Sequence, residues 1–573
     1  MHANQKSGLA AALLMSFWGT AAWAQATPDA GAIQRQIEQD LKAAPVQKTQ
    51  AVPKTARALG PAREGATALS VERFAFEGNT RLSAEQLAAI VAPYQGRQYD
   101  LDQLRQIADV VADAYRDAGW LVRVSLPKQE VKDGVVTLRV VEAAFGKTIV
   151  QGRQSRVDPT TLQAMVDAAQ ASGQPVQAQS IDRALLLLDS IPGLNVVGNL
   201  IEGEQPGQTD LLLGVADRAA VNGDVSLDNN GARSTGSNRV LANLSVNSPL
   251  GMGDQLQLTA LKTQGSDFER LAWTVPVGLN GLRAGVHATR LAYSLVGDFA
   301  SLNAHGSAVS SGLDLSYPWL RSQSSNVYLL ANYDAKRFDN NANGASASHY
   351  GIDVLNLAIS ASQNDDWQGG GINNYSLGLS QGQVKLGGSA NQSADTSGPA
   401  TAGSFSKLRA GLSRLQAITP SLSGYVAFNV QRANKNLDSS ERLYLGGSGG
   451  VRAYPTSEGG GAEGQLLTAE LRQQLAANLT LTGFYDHGQV KAFKHNAWVN
   501  GSGNLNSGSA PNDITLKGYG VSLAWTPLAS TELRATLANA PVTRLLVRPP
   551  LVLPRVASET TCQPWVTQDQ TRR

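Results

Sequence analysis

The sequence predicts two small α+β modules of β-α-α-β-β order, followed by a transmembrane antiparallel β-barrel of about sixteen strands. Three observations lead there. Apolar residues change from helical spacing to a period of two near Ala219. Charged residues make up 16% of the 573-residue chain, against roughly 25% in soluble domains. After the first two dozen residues there is no apolar run of about 18, so no helix crosses a membrane, whereas strands that show water every second side chain can.

Taken in order, the chain opens with Lys6, a short apolar run from Leu9 to Trp18, and Ala22-Trp23-Ala24. This is a signal-peptide pattern over residues 1–24, with a mature start near Gln25. Within 25–44, Ile33, Ile37 and Leu41 recur at i+4 and predict a short helix with one apolar face. Pro45, Pro53 and Pro61 mark 45–68 as an extended linker.

Residues 69–143 form the first module. Val71 to Phe76 alternates as a strand and turns at Gly78-Asn79. Asp100 and Gln103 make a capping box for a helix bearing Leu101, Leu104, Ala108, Val111 and Tyr115, which Gly119 ends. Strands Leu121 to Leu126 and Val135 to Val141 follow, joined near Asp133-Gly134. Residues 144–217 repeat the order, with helices near Thr160 to Ala169 and Ile181 to Ser190 and strands at Thr148 to Val150, Val196 to Ile201 and Leu211 to Val215. A tandem module of this size belongs to recognition arrays more than to enzymes. Its strand edges suit capture of an extended client.

Residues 218–543 carry the barrel. Val240, Ala242, Leu244 and Val246 alternate with Leu241, Asn243, Ser245 and Asn247; Val327, Leu329, Ala331 and Tyr333 alternate with Tyr328, Leu330, Asn332 and Asp334. One apolar face and one small polar face suit lipid outside and water inside. A soluble sandwich gives the same alternation, but roughly 325 residues is an unusual size for one.

Behind Gly446-Gly447-Ser448-Gly449-Gly450 stands Val451-Arg452-Ala453-Tyr454-Pro455, and about thirty residues later Phe484-Tyr485-Asp486-His487-Gly488. A cation and a carboxylate amid strand-like sequence suggest an ion pair inside the barrel. An Arg–carboxylate contact seals a pore at rest and can still open, and the guanidinium fork fixes direction as well as charge. The glycines let the loop bend, and the Tyr454 ring is placed to pack on the wall. Gly446-x-Ser448-x-Gly450 imitates a hydrolase elbow, but Pro455 opposes the helix that an elbow requires. Gly459-x-Gly461-x-x-Gly464 lacks a βαβ setting and reads as loop. His287, His305, His349 and His495 are scattered without metal-ligand spacing, and His487 is expected to face the lumen. Neither metal nor cofactor is implied. A net charge of +2 gives no reason to invoke nucleic acid, and the lone Cys562 excludes an internal disulfide.

Signal peptide, modules and barrel together resemble the outer-membrane transporters of two-partner secretion, the haemolysin-activator and filamentous-haemagglutinin-transporter family. The modules are similar to its POTRA domains. Val451-Arg452-Ala453-Tyr454 is similar to the V-R-G-Y/F tip of a loop that folds back into the pore, and Phe484-x-Asp486-x-Gly488 to the F-x-D-x-G motif on the inner wall. Asp228-Asn229-x-Gly231, with Gly236 and Arg239, resembles the D-N-x-G pattern that opens the first barrel strand. The resemblance implies a non-enzymatic translocator in the outer membrane with its modules in the periplasm. Its partners would be a secreted haemolysin- or adhesin-type exoprotein with an N-terminal secretion domain, outer-membrane lipid and lipopolysaccharide, and the barrel-assembly machinery. Other readings are an outer-membrane assembly factor and a passive porin or adhesin; the last leaves 69–217 unexplained. Ala453 replaces the family's usual Gly and costs roughly 1 kcal/mol if that site needs a positive φ. The tail, 544–573, departs further. Pro549, Pro550 and Pro554 are incompatible with a central strand, so either this tail is an altered end or the barrel closes another way, and poor insertion or assembly is expected.

Overall fold

In the first module, helix Ala84–Val91 starts at a reciprocal Ser83–Gln86 capping box, and helix Leu101–Asp117 at the Asp100–Gln103 box. The side of the longer helix bearing Leu104, Ile107, Val111 and Tyr115 is buried against Val136, Leu138 and Val140 of strand Val135–Glu142. That strand pairs in parallel with Arg73–Glu77 and antiparallel with Val122–Ser125. The second module repeats the plan. Gln208–Asp217 lies between Ala144–Gln151 and Leu194–Glu202, covered by helices Pro159–Ala169 and Ala178–Asp189. This computed structural model describes residues 28–42, 69–152, 155–205, 207–496, 512–541 and 557–562, the last by backbone alone. The expected signal peptide, the linker and the loop near Gly501 to Ser509 lie outside those residues.

Glu142 ties the first module together. Its carboxylate accepts from the backbone N–H groups of Thr80 and Arg81, both at 2.7 Å, and from the Tyr115 hydroxyl at 3.2 Å. Burial would raise its pKa, but the hydrogen bonds from Thr80 and Arg81 outweigh burial and hold it below the usual value. A depressed folded-state pKa means stability that is complete above the unfolded value of about 4.3 and is lost as pH falls through the folded value. Glu142→Gln is therefore expected to cost the module about 1 kcal/mol at neutral pH and less at pH 3. Hydrogen exchange of helix Leu101–Asp117 in the full chain checks this; equal protection in both proteins at pH 7 contradicts it.

Among the described residues, sixteen strands form a closed barrel. Strand parity sets its two faces. Leu329, Tyr333, Leu355, Leu357, Leu377 and Leu379 are exposed on the outside. Asn332 and Asp334, between Leu329 and Tyr333 or just beyond, turn inward to Asp314 and His287. The second module sits on the rim where the first strand starts. Arg183 donates to the Pro318 carbonyl at 2.7 Å, and Ser248 to that of Pro192 at 2.9 Å.

Two expectations need correction. The tail beyond residue 543 is not wholly outside the barrel: Ala557–Cys562 pairs with Thr531–Asn539 on one side and Val221–Asp228 on the other, closing the cylinder. That ladder begins at Ala557, beyond Pro549, Pro550 and Pro554, which lie outside the described residues. The lumen is also not uniformly polar. Phe268, Leu291, Phe338, Tyr350, Ile352 and Phe405 form a buried apolar wall inside it.

Candidate functional site

The segment between strands Leu422–Ala433 and Glu463–Ala476 folds back into the lumen. Its stem is the short ladder Leu443–Tyr444 with Gly460–Gly461. The turn above it needs its glycines. A Cβ on Gly446 would lie 2.0 Å from the Pro455 carbonyl oxygen, one on Gly450 would lie 1.9 Å from that of Leu445, and Gly447 has φ +102°. This crossing presents Val451 to Leu445, Leu466, Val490 and Leu516 as a small dry core, with Tyr454 packed at its edge.

Arg452 projects beside that core. Its Nε and Nη2 donate to the two oxygens of Asp486, each at 2.8 Å, and its backbone N–H donates to Oδ2 at 3.1 Å. Nη1 donates to Glu470 at 2.7 Å, and the guanidinium lies 3.6 Å from the centre of the Phe484 ring. The Asp486 side chain is 0% exposed and that of Arg452 16%. A fork on a buried carboxylate, stacked on an aromatic face, is a contact that lysine does not reproduce. Gly488 and Gly518 leave room for it: a Cβ on Gly488 would meet Leu445 at 2.8 Å, and one on Gly518 would meet the Ala453 Cβ at 2.8 Å. Ala453 does not adopt a positive φ, so the departure from glycine carries no left-handed penalty here.

The Asp228 motif lies alongside, and it does not open the first barrel strand as expected: Asp228 ends Val221–Asp228, Asn229 to Gly236 lie in the turn, and Arg239 starts the next strand, Arg239–Asn247. Asp228 accepts from Arg239 Nε at 2.6 Å, and its carboxylate caps the Asn230 N–H at 2.8 Å. Gly231 has no space for a side chain, since its Cβ would sit 2.3 Å from the Gly236 carbonyl oxygen. Thr456 of the loop donates to the Asn230 carbonyl at 2.7 Å, and Asn229 shares a cavity with Arg452 and Tyr454.

Helix Ala30–Lys42 lies inside the barrel. Ile33 and Ile37 are buried in the apolar wall, and Leu41 packs at its margin. Asp40 accepts from Arg239 Nη1 at 2.7 Å, so the helix and Asp228 share one guanidinium. At the other end the Ala30 N–H donates to Asn340 at 2.8 Å, and Ser439 of the loop donates to Asp29 at 2.7 Å. The three groups of candidate residues thus meet in one lumenal assembly. Sequence reasoning missed Asp40, Glu470 and Glu441. Glu470 shows itself only in the ladder, where it opposes Phe484 and shares the inward parity of Asp486. The same parity corrects His487, which stands between inward Asp486 and Gly488 and so points outward. His287 bridges Asp314 at 2.6 Å and Asp334 at 2.9 Å on the inner wall. Among the described residues no cluster of three or more His, Cys, Asp or Glu suits a metal.

Comparison with known proteins agrees with this geometry. Residues 207–510 match the family model "Haemolysin secretion/activation protein ShlB/FhaC/HecB", and 69–143 match "POTRA domain, ShlB-type". The heme/hemopexin transporter protein HuxB of Haemophilus influenzae (strain 86-028NP) is 25% identical over 481 residues, covering 80% of this chain and 81% of HuxB. The outer membrane transporter CdiB of Dickeya dadantii (strain 3937) is 23% identical over 429 residues, covering 72% of this chain and 75% of CdiB. Among solved structures, CdiB from Escherichia coli shares the fold with a TM-score of 0.65 at 19% identity, covering 92% of this chain and 95% of that one. With its family model spanning more than half of the residues, this chain belongs to the haemolysin secretion/activation protein family.

Proposed function

We propose that this outer-membrane transporter of two-partner secretion exports a large haemolysin- or adhesin-type exoprotein, bound in the periplasm through its N-terminal secretion domain by the two modules. The chain is not an enzyme in this reading. Lipid and lipopolysaccharide surround the barrel, and the barrel-assembly machinery inserts it. The observation that carries the reading is the Arg452 fork on Asp486 and Glu470. A passive pore has no use for a lumenal loop held by a buried ion pair, and a translocator needs a seal that yields. The loop tip is the latch, Asp228, Asn229, Gly231 and Arg239 anchor it to the first strand, and the helix bearing Ile33, Ile37 and Leu41 is the plug. Replacing 69–217 with a flexible linker should leave a heat-modifiable barrel in the outer membrane and stop secretion of the exoprotein partner. Undiminished secretion would refute the recognition role.

A further inference from the structure

The folded-in loop has a second seat, away from Arg452. Glu441, in the short turn Ser439–Glu441, has a side chain only 4% exposed. It accepts from Lys336 at 3.0 Å and from Lys407, and both lysines rise from the inner wall, on strands Ser325–Ala342 and Gly403–Ala417. Lys407 also donates to the Glu441 carbonyl at 3.3 Å, as does Gln431 at 3.2 Å. Gln431 in turn accepts from Arg409 Nε at 2.6 Å. The Nη2 of Arg409 is buried with no partner among the described residues.

The charges here do not balance on the wall. Glu441 belongs to the loop. Arg35 and Glu38, 3.7 Å apart, belong to the helix and leave together with it. Asp334, the wall carboxylate near Lys336, is engaged by His287. Lys336 and Lys407 therefore lose the carboxylate that pairs with both when the loop withdraws, and Lys336 and Arg409 lose the nearby charge of Glu38 once the helix follows. Buried or half-dry cations without a partner are costly, so another anion is favoured in that place.

We propose that Lys336, Lys407 and Arg409 form an anion-binding patch on the inner wall, which Glu441 fills at rest and acidic side chains of a passing polypeptide fill once the loop moves. The inference rests on the export reading. The patch gives a carboxylate-bearing segment a foothold next to the vacated loop seat. Glu441 acts as its placeholder and keeps the resting wall from capturing chloride or stray acidic chains.

Planar-bilayer recording on the full chain tests this, with poly-glutamate and poly-lysine as probes. Glu441→Gln is expected to open more often than the parent chain and to shift its reversal potential towards anion selectivity. Poly-glutamate should block it, more weakly at high KCl, while poly-lysine should not. Adding Lys407→Gln and Arg409→Gln should raise the poly-glutamate concentration needed for half-block by roughly tenfold or more, as the loss of a charged hydrogen bond implies. Where that triple variant yields no heat-modifiable barrel, Glu441→Gln with Lys336→Gln replaces it. A Glu441→Gln pore as quiet as the parent, or equal poly-glutamate block with and without the cations, overturns the proposal. The recording needs no exported partner, so a failed secretion test with an intact block would refute the export reading and leave the patch standing.

Discussion

Replacing Arg452 with alanine is expected to abolish secretion while leaving the folded barrel in the outer membrane. The substitution removes the cation paired with Asp486, whose side chain is fully buried, and, among the described residues, one of two cations paired with Glu470. Breaking a buried pair on one side costs about 3–5 kcal/mol, chiefly because the remaining charge is left dry and unpaired. At 1.4 kcal/mol per factor of ten, that moves the docked–undocked equilibrium of the loop by more than a hundredfold. The barrel ladders do not pass through Arg452, so insertion should survive. The loop instead loses its one defined resting place and obstructs the lumen in no fixed position. Arg452→Lys retains the charge without the fork and should secrete weakly. The readout is exoprotein in the medium beside a heat-modifiable band in the membrane; normal secretion by Arg452→Ala contradicts the latch.

The second large effect concerns the plug. Removing residues 28–42 is expected to raise resting conductance several-fold in planar bilayers. The helix has 13 residues and so a length of about 20 Å, enough to occupy much of a sixteen-strand lumen. Ile33 and Ile37 each contribute about 2 kcal/mol by leaving water for the Phe338 and Tyr350 wall. Asp40 adds a charged hydrogen bond to Arg239, whose side chain is only 10% exposed. Asp40→Asn should give brief openings rather than a permanently open pore, because the apolar grip persists. Unchanged conductance after the deletion would reduce the helix to a tether.

Much of this was legible in the chain because local rules and global fold agree. The Asp100–Gln103 box, the Asp133-Gly134 turn and the period-two alternation each report a backbone state, and each element formed where its pattern lies. The Ser83–Gln86 box was equally local but was not singled out, so the first helix of the first module lacked a boundary. Pairings between distant strands were harder. Arg452 with Asp486 was readable only because both sit in recognisable motifs. Glu470 sits in none, and only its ladder position opposite Phe484 reveals it. Asp40 meets Arg239 across 199 residues, a contact that no periodicity encodes. The inner wall misled for a physical reason: Phe338 and Ile352 face inward where polar residues were expected, because an amphipathic plug needs a dry surface to grip. The tail misled because its prolines were taken to end the sheet, whereas the closing strand starts beyond them, at Ala557.

The account stands on the loop leaving its seat whenever a polypeptide passes, and a reversible covalent lock tests that most directly. Cysteines at Ala453 and Gly518 can be joined, since a Cβ at Gly518 falls 2.8 Å from that of Ala453, and a relaxation of about 1 Å reaches disulfide geometry. Cys562, the only native cysteine, is changed to serine so that no other pair forms. Secretion should stop when the bond closes and resume on reduction, with the same amount of barrel in the membrane throughout. Secretion at an undiminished rate from the oxidised, fully locked protein would contradict the account.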